Sequence, residues 1–156
     1  MSTPPASRTR GEWRPAPSAP VARVGVDVGL AHLDRSFDYR VPAHLDEAAV
    51  PGVRVRVRFA GRLVDGFLLD RVEDSAHTGR LAWVDKVVSP EPVLTPEVER
   101  LCRAVADRCA GTLTDVLRLA VPPRHARVEN ETPRERAEAP PQPASPDPGG
   151  WAAYPR

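Results

Sequence analysis

The stretch Gly52-Val53-Arg54-Val55-Arg56-Val57-Arg58-Phe59 alternates apolar and charged side chains without a break. Successive residues of a strand point to opposite faces, which puts Val53, Val55, Val57 and Phe59 on one side and Arg54, Arg56 and Arg58 on the other. A helix would scatter both sets, so the segment reads as a half-buried strand. Pro51-Gly52 before it is a turn dipeptide. Ala60-Gly61-Arg62 after it is a loop tip, from which Val64–Val72 returns as a second, more continuously apolar strand.

Working outward, the same alternation recurs at Val24, Val26 and Val28. It recurs again at Phe37, Tyr39 and Val41, ending at Pro42, whose missing N–H stops sheet pairing. His44–Val50 fits a short helical turn, and Ala82–Val88 makes a fifth strand closed by Pro90 and Pro92. Short strands in succession, with little helix between them, predict an antiparallel sheet or small barrel. The period then changes. Thr95 is a good N-cap, Pro96 suits the first helical position, and Glu97 and Glu99 favour the positive end of the helix dipole. Val98, Leu101, Cys102, Val105, Ala106 and Cys109 recur at helical spacing and predict one apolar face, with Gly111 as the left-handed residue that ends the helix. Thr112 with Asp115 resembles a capping box that opens a shorter helix through Ala120. The expected fold class is α+β: a small curved antiparallel sheet or barrel of about five strands, then two helices, with disordered termini.

Those termini are residues 1–20 and 129–156, which hold most of the 19 prolines and lack periodic apolar positions. Residues 21–128 remain to build the domain, a length that buries most of its apolar surface without staples. The net charge of +1 hides a local strip: between Glu47 and Asp65 stand Arg54, Arg56, Arg58 and Arg62 and no acid. A strip of this kind meets phosphates in some proteins and is a solvated face in more. Nearly all the basic residues are arginine, Lys86 being the single lysine. That lysine sits in the strand pattern Val84-Asp85-Lys86-Val87 with no glycine near it, so it belongs to no phosphate-binding loop. Cys102 and Cys109 are expected in the helix core rather than on zinc. The histidines His32, His44, His77 and His125 are dispersed and show no metal spacing. No catalytic site, metal site or cofactor is expected in this chain. The first residues have no apolar core of a signal peptide, and no stretch approaches the roughly 20 apolar residues of a membrane span. A cytoplasmic protein is the default expectation.

The segment Leu30-Ala31-His32-Leu33-Asp34-Arg35-Ser36-Phe37-Asp38-Tyr39-Arg40-Val41-Pro42 resembles the opening of the primosomal protein N′ family, the PriA-type replication-restart helicases. Three further pieces match in order: residues 52–59 with Gly61-Arg62, then Ser89-Pro90-Glu91-Pro92-Val93-Leu94-Thr95, then Gly111-Thr112-Leu113-Thr114-Asp115-Val116-Leu117. The resemblance spans residues 22 to about 127. It implies a 3′-DNA-binding domain that captures the 3′ end of a nascent leading strand at a stalled fork, for replication restart and primosome assembly. It implies as partners forked or branched DNA with a free 3′ hydroxyl, other primosome proteins and single-stranded DNA-binding protein. The helicase motor, with its ATP and zinc, would lie in a portion of the family outside this chain, toward which residues 129–156 would be a linker. By resemblance the 3′-end pocket maps onto Phe37, Asp38 and Gly61. Where the family has a lysine before the fifth strand this chain has Ala82, with Arg80 two residues earlier; Arg80 or Arg62 would replace that phosphate contact.

The chemistry of such a pocket follows from one acid. A carboxylate only accepts, so Asp38 can take a hydrogen bond from a terminal sugar hydroxyl, worth about 1.5–3 kcal/mol. A continuing strand would bring a phosphate there instead, and like charges about 4 Å apart at an effective dielectric near 20 repel by roughly 4 kcal/mol. Phe37 and Asp38 point to opposite faces of a regular strand, so both line one pocket only if the strand starts or bulges there, or if Phe37 contributes main chain. On the plain reading of the residues, Phe37 and Tyr39 are core and Asp38 is a solvated strand residue. If Arg54, Arg56, Arg58 and Arg62 all meet phosphates, the salt slope is near −3. A different class, a protein-docking module using the sheet edge or the helix pair, is the alternative.

Overall fold

Val55 and Val57 are fully buried while Arg56 and Arg58 are exposed, as the alternation of residues 52–59 requires. The computed structural model describes residues 13–125 and 127. Five strands form one antiparallel sheet: β1 (Val21–Val26), β2 (Ser36–Arg40), β3 (Arg54–Phe59), β4 (Arg62–Val72) and β5 (Val84–Ser89), in the order β2-β1-β4-β3-β5. Two helices follow, α1 (Pro96–Cys109) and α2 (Leu113–Ala120). The β3–β4 hairpin turns through Ala60 and Gly61, both at positive φ, with Phe59 opposite Arg62. Two left-handed residues in a two-residue loop match the twist of the flanking strands.

The sheet curls around one apolar cluster. Ala22, Val24 and Val26 of β1, Tyr39 of β2, Val55 and Val57 of β3, Leu68 of β4 and Val84 of β5 meet there. A second cluster lies on the other face of β4, where Phe67 and Leu69 pack against Leu94, Cys102, Leu113 and Leu117. β4 is therefore covered on both faces, which explains its continuous apolar character. The curl brings the two edge strands together at one place: Arg40 of β2 bridges Trp83, next to β5, and the Arg40 N–H donates to the Ala82 carbonyl at 2.7 Å.

The α+β reading of the sequence is correct, and three local expectations are corrected. Residues 13–20 are not a tail: Ala16 is buried, its N–H donates to the Val41 carbonyl at 2.8 Å, and Pro15 bridges Pro42. The Arg71 guanidinium holds this segment, donating to the Ala19 carbonyl at 2.7 Å, the Ser18 carbonyl at 2.6 Å and the Asp46 carboxylate at 2.8 Å. Extended chain rich in proline gives no periodicity, yet it places Ala16 in the core cluster of the curled sheet. The left-handed residue after α1 is Ala110, not Gly111; the Gly111 N–H closes the turn onto the Ala106 carbonyl at 3.0 Å. Cys102 is buried, but Cys109 is exposed, as are Leu101 and Val105, because α1 meets the sheet along a narrower stripe than its apolar spacing suggests. The rest of the expected tails, 1–12 and 129–156, lies outside the described residues, as does residue 128 at the end of the expected domain.

Candidate nucleic-acid interface

β5 begins at Val84, opposite Val57, so the last two residues of β3, Arg58 and Phe59, run on past its start. Across from them lies the outer edge of β2, which is closed only at Arg40. Between these edges the seam of the curled sheet opens into a cleft of about 420 Å³. Its walls are Arg35–Tyr39, Arg58–Ala60 and, from the segment before β5, His77 and Arg80–Ala82.

This geometry resolves how Phe37 and Asp38 share one pocket. The cleft lies along a strand edge rather than on a face, so neighbours of opposite orientation both border it. The Phe37 ring turns inward, meeting the Phe59 ring edge-on at 4.9 Å with the Arg35 guanidinium over it at 4.9 Å. Asp38 turns outward and accepts a hydrogen bond from the Ser75 hydroxyl, whose Oγ also accepts from the His77 N–H at 3.0 Å. Because the Arg40 N–H points across the seam to Ala82, the two-residue alternation of an antiparallel edge turns the Asp38 main-chain N–H and C=O the same way. The cleft therefore offers main-chain groups, an aromatic edge, one carboxylate and arginines.

Two interactions fix the walls. The Tyr39 hydroxyl reaches through the interior to the Arg58 carbonyl at 3.4 Å, and burial pushes its pKa up to about 12. Asp34, two residues before β2, accepts from Arg103 of α1 at 2.6 Å and from the Leu113 N–H of α2 at 2.9 Å. The start of β2 is thus tied to both helices.

Of the residues singled out in the sequence, the structure brings together Phe37, Asp38, Arg58 and Arg80 at the cleft. Ala60 lines it where Gly61 was expected; Gly61 sits at the hairpin tip, its carbonyl accepting from Arg58 Nη1 at 3.1 Å. Arg54, Arg56 and Arg62 are not brought to it. Arg54 stacks over Phe67 at 5.2 Å and donates to the Pro122 carbonyl. Arg56 is forked onto Asp65 at 2.8 and 3.3 Å, and that hydrogen-bonded carboxylate raises its pKa. Arg62 pairs with Phe59 beyond the cleft at the hairpin tip. Sequence reasoning missed Ser75 and His77, which lie in a polar loop without periodicity, and Arg35, which precedes β2. Among the described residues, no three His, Cys, Asp or Glu side chains cluster as a metal site, and no helix is long and apolar enough to cross a membrane.

The seam of the sheet thus opens on an acid, arginines and a strand edge, and comparison with known proteins gives the class of domain that carries it. Residues 23–122 match the family described as 3′DNA-binding domain (3′BD) of PriA, and the chain belongs to that family. It is 63% identical over 131 residues to "Probable replication restart protein PriA" of Mycobacterium tuberculosis (strain CDC 1551 / Oshkosh), covering 83% of this chain and 19% of that relative. It is 58% identical over 130 residues to the Mycobacterium leprae (strain TN) protein of the same name, covering 83% of this chain and 20% of that one. "Replication restart protein PriA" of Bacillus subtilis (strain 168) is 33% identical over 124 residues, covering 78% of this chain and 15% of the relative. The chain thus spans about a fifth or less of the length of these relatives.

Proposed function

We propose that this chain captures the free 3′ end of a nascent leading strand at a stalled replication fork, for replication restart and primosome assembly. The observation that carries this reading is the position of Asp38, a single carboxylate in a cleft otherwise bordered by Arg35, Arg58 and Arg80. The arginines attract the strand; the acid accepts its terminal hydroxyl and repels a phosphate in that position. Ser75 occupies Asp38 Oδ2, which leaves Oδ1 for the sugar. Main-chain groups along the β2 edge and the partly buried Phe37 ring meet the base without reading its identity, which supports capture of any sequence. Ordinary fork-restart partners, the other primosome proteins and single-stranded DNA-binding protein, belong to the same proposal. So does an ATP-driven helicase activity in the longer proteins of this family.

Fluorescence anisotropy with oligonucleotides ending in a 3′ hydroxyl or a 3′ phosphate tests the reading. The hydroxyl form is expected to bind at least tenfold more tightly. Equal affinities would remove it. A second reading, docking onto a protein, has its own observation: Leu101 and Leu119 on the two helices are 64% and 89% exposed. Absence of DNA binding under any salt condition would favour that reading.

A further inference from the structure

The seam bridge that closes the cleft also carries an aromatic cluster with no part in holding a terminal sugar. The Arg40 guanidinium lies 5.9 Å over the Trp83 ring. Trp83 meets Trp13 edge-on at 5.9 Å, and Trp13 meets His44 at 5.2 Å. Neither tryptophan is fully buried, and Arg40 and His44 are exposed. The backbone holds these rings in place. Trp83 sits on the bridge to Arg40, immediately before the fully buried Val84. Trp13 is held by its neighbours, where the Ala43 N–H donates to the Arg14 carbonyl at 2.7 Å and Pro15 bridges Pro42.

The cluster is continuous with the cleft. Asp38 and Arg40 are two apart on β2 and so share a face, about 7 Å from one another. Ala82 lines the cleft and Trp83 follows it directly. A DNA strand whose terminus sits at Asp38 must leave the cleft in some direction. Toward the hairpin it meets Arg58 and Ala60; toward the bridge it meets the Arg40 guanidinium and the partly exposed Trp83 ring, with Trp13 beyond it. Rings fixed by main chain lose little entropy on stacking a base, and every base has a face to offer.

We infer that Arg40, Trp83 and Trp13 form a second nucleotide subsite, a stacking platform for the single-stranded DNA immediately 5′ of the captured terminus. Arg40 contacts the phosphate between the last two nucleotides, and the exposed part of the Trp83 ring carries the penultimate base. The platform rests on the 3′-end reading for its direction, and its test separates the two.

The test titrates the full chain with short oligothymidylates that end in a 3′ hydroxyl, either intact or with an abasic penultimate nucleotide. The abasic form is expected to bind roughly five- to a hundredfold more weakly. Trp83→Phe should keep that penalty, and Trp83→Leu, which preserves apolar bulk for folding, should abolish it. An abasic oligonucleotide that binds the unaltered chain as tightly as the intact one overturns the platform, and this arm needs no variant. An abasic penalty of equal size in Trp83→Leu and in the unaltered chain also overturns it. A penalty that disappears in Trp83→Leu, alongside equal binding of 3′-hydroxyl and 3′-phosphate ends, supports the platform and removes the 3′-end reading.

Discussion

The Ser75 hydroxyl donates to Oδ2 of Asp38 across 37 residues of sequence, joining the loop before β5 to the edge of β2. One carboxylate oxygen is thereby occupied and the side chain is held at the cleft. Ser75→Ala removes the orienting donor without removing the acid. Binding to a 3′-hydroxyl oligonucleotide should weaken by about threefold to tenfold, less than loss of the charged acceptor itself, because the carboxylate remains and only its orientation is lost. Anisotropy titration measures it, and a loss as large as that of Asp38→Ala would mean that Ser75 does more than orient.

Asp34 is the corresponding tie on the other side of β2. Its carboxylate satisfies the Leu113 N–H at the start of α2 and the Arg103 guanidinium at once. Asp34→Ala leaves both donors without that partner and should cost about 2 kcal/mol, or roughly 8 °C in Tm for a domain of this size. A calorimetric scan checks it. Pairing it with Arg103→Ala in a double-mutant cycle should show coupling, because the two side chains are in contact.

The arginines divide by position. Arg58 and Arg80 border the cleft, whereas Arg56 is forked onto Asp65 on an exposed face. Each phosphate contact on single-stranded DNA adds about −0.7 to the slope of log affinity against log salt. Arg58→Ala and Arg80→Ala should each flatten the slope by about that amount, and Arg56→Ala should leave it nearly unchanged. The sequence alone assigns the slope to Arg54, Arg56, Arg58 and Arg62; of these the structure keeps only Arg58 at the cleft and adds Arg35.

That difference shows where sequence legibility ends. The alternation of Val55, Arg56, Val57 and Arg58 fixes a strand and its faces because strand geometry allows no other outcome. Thr95 and Thr112 announce helix starts for an equally local reason, and both side chains accept the expected backbone N–H. Which arginine has a partner depends on the register that sets Arg56 against Asp65, and register is a tertiary property. Cleft formation depends on where β5 starts relative to β3, and on Arg40 meeting Trp83 across the seam. Ser75 reaches Asp38, and His77 reaches Ser75, across the fold rather than along the sequence, and no spacing rule marks them. The Trp13–Pro20 segment was illegible for a different reason. Its order comes from Arg71 and from main-chain pairing with Val41, neither of which leaves a pattern in the segment itself.

Tyr39 gives the domain an alkaline limit. Its hydroxyl is held neutral by burial, with a pKa of about 12 in the folded chain against an ordinary value of 10.0. The folded state therefore keeps a proton that the unfolded state releases, and stability falls as pH rises from about 10 to 12, by about 3 kcal/mol at most. Below pH 10 the contribution is fully present. Chemical denaturation at pH 9 and at pH 11.5 should show the loss in the unaltered chain, and Tyr39→Phe should remove this part of it.

The central claim is that one acid discriminates a strand end from a strand interior. It is tested most directly by comparing the unaltered chain with Asp38→Asn on two oligonucleotides that differ only in a 3′ hydroxyl or a 3′ phosphate. Asparagine keeps the size and the acceptor oxygen but removes the charge and adds a donor. The account predicts a preference for the hydroxyl of at least tenfold in the unaltered chain, falling to near unity in Asp38→Asn chiefly because the phosphate form binds more tightly. The same preference in both proteins would contradict it.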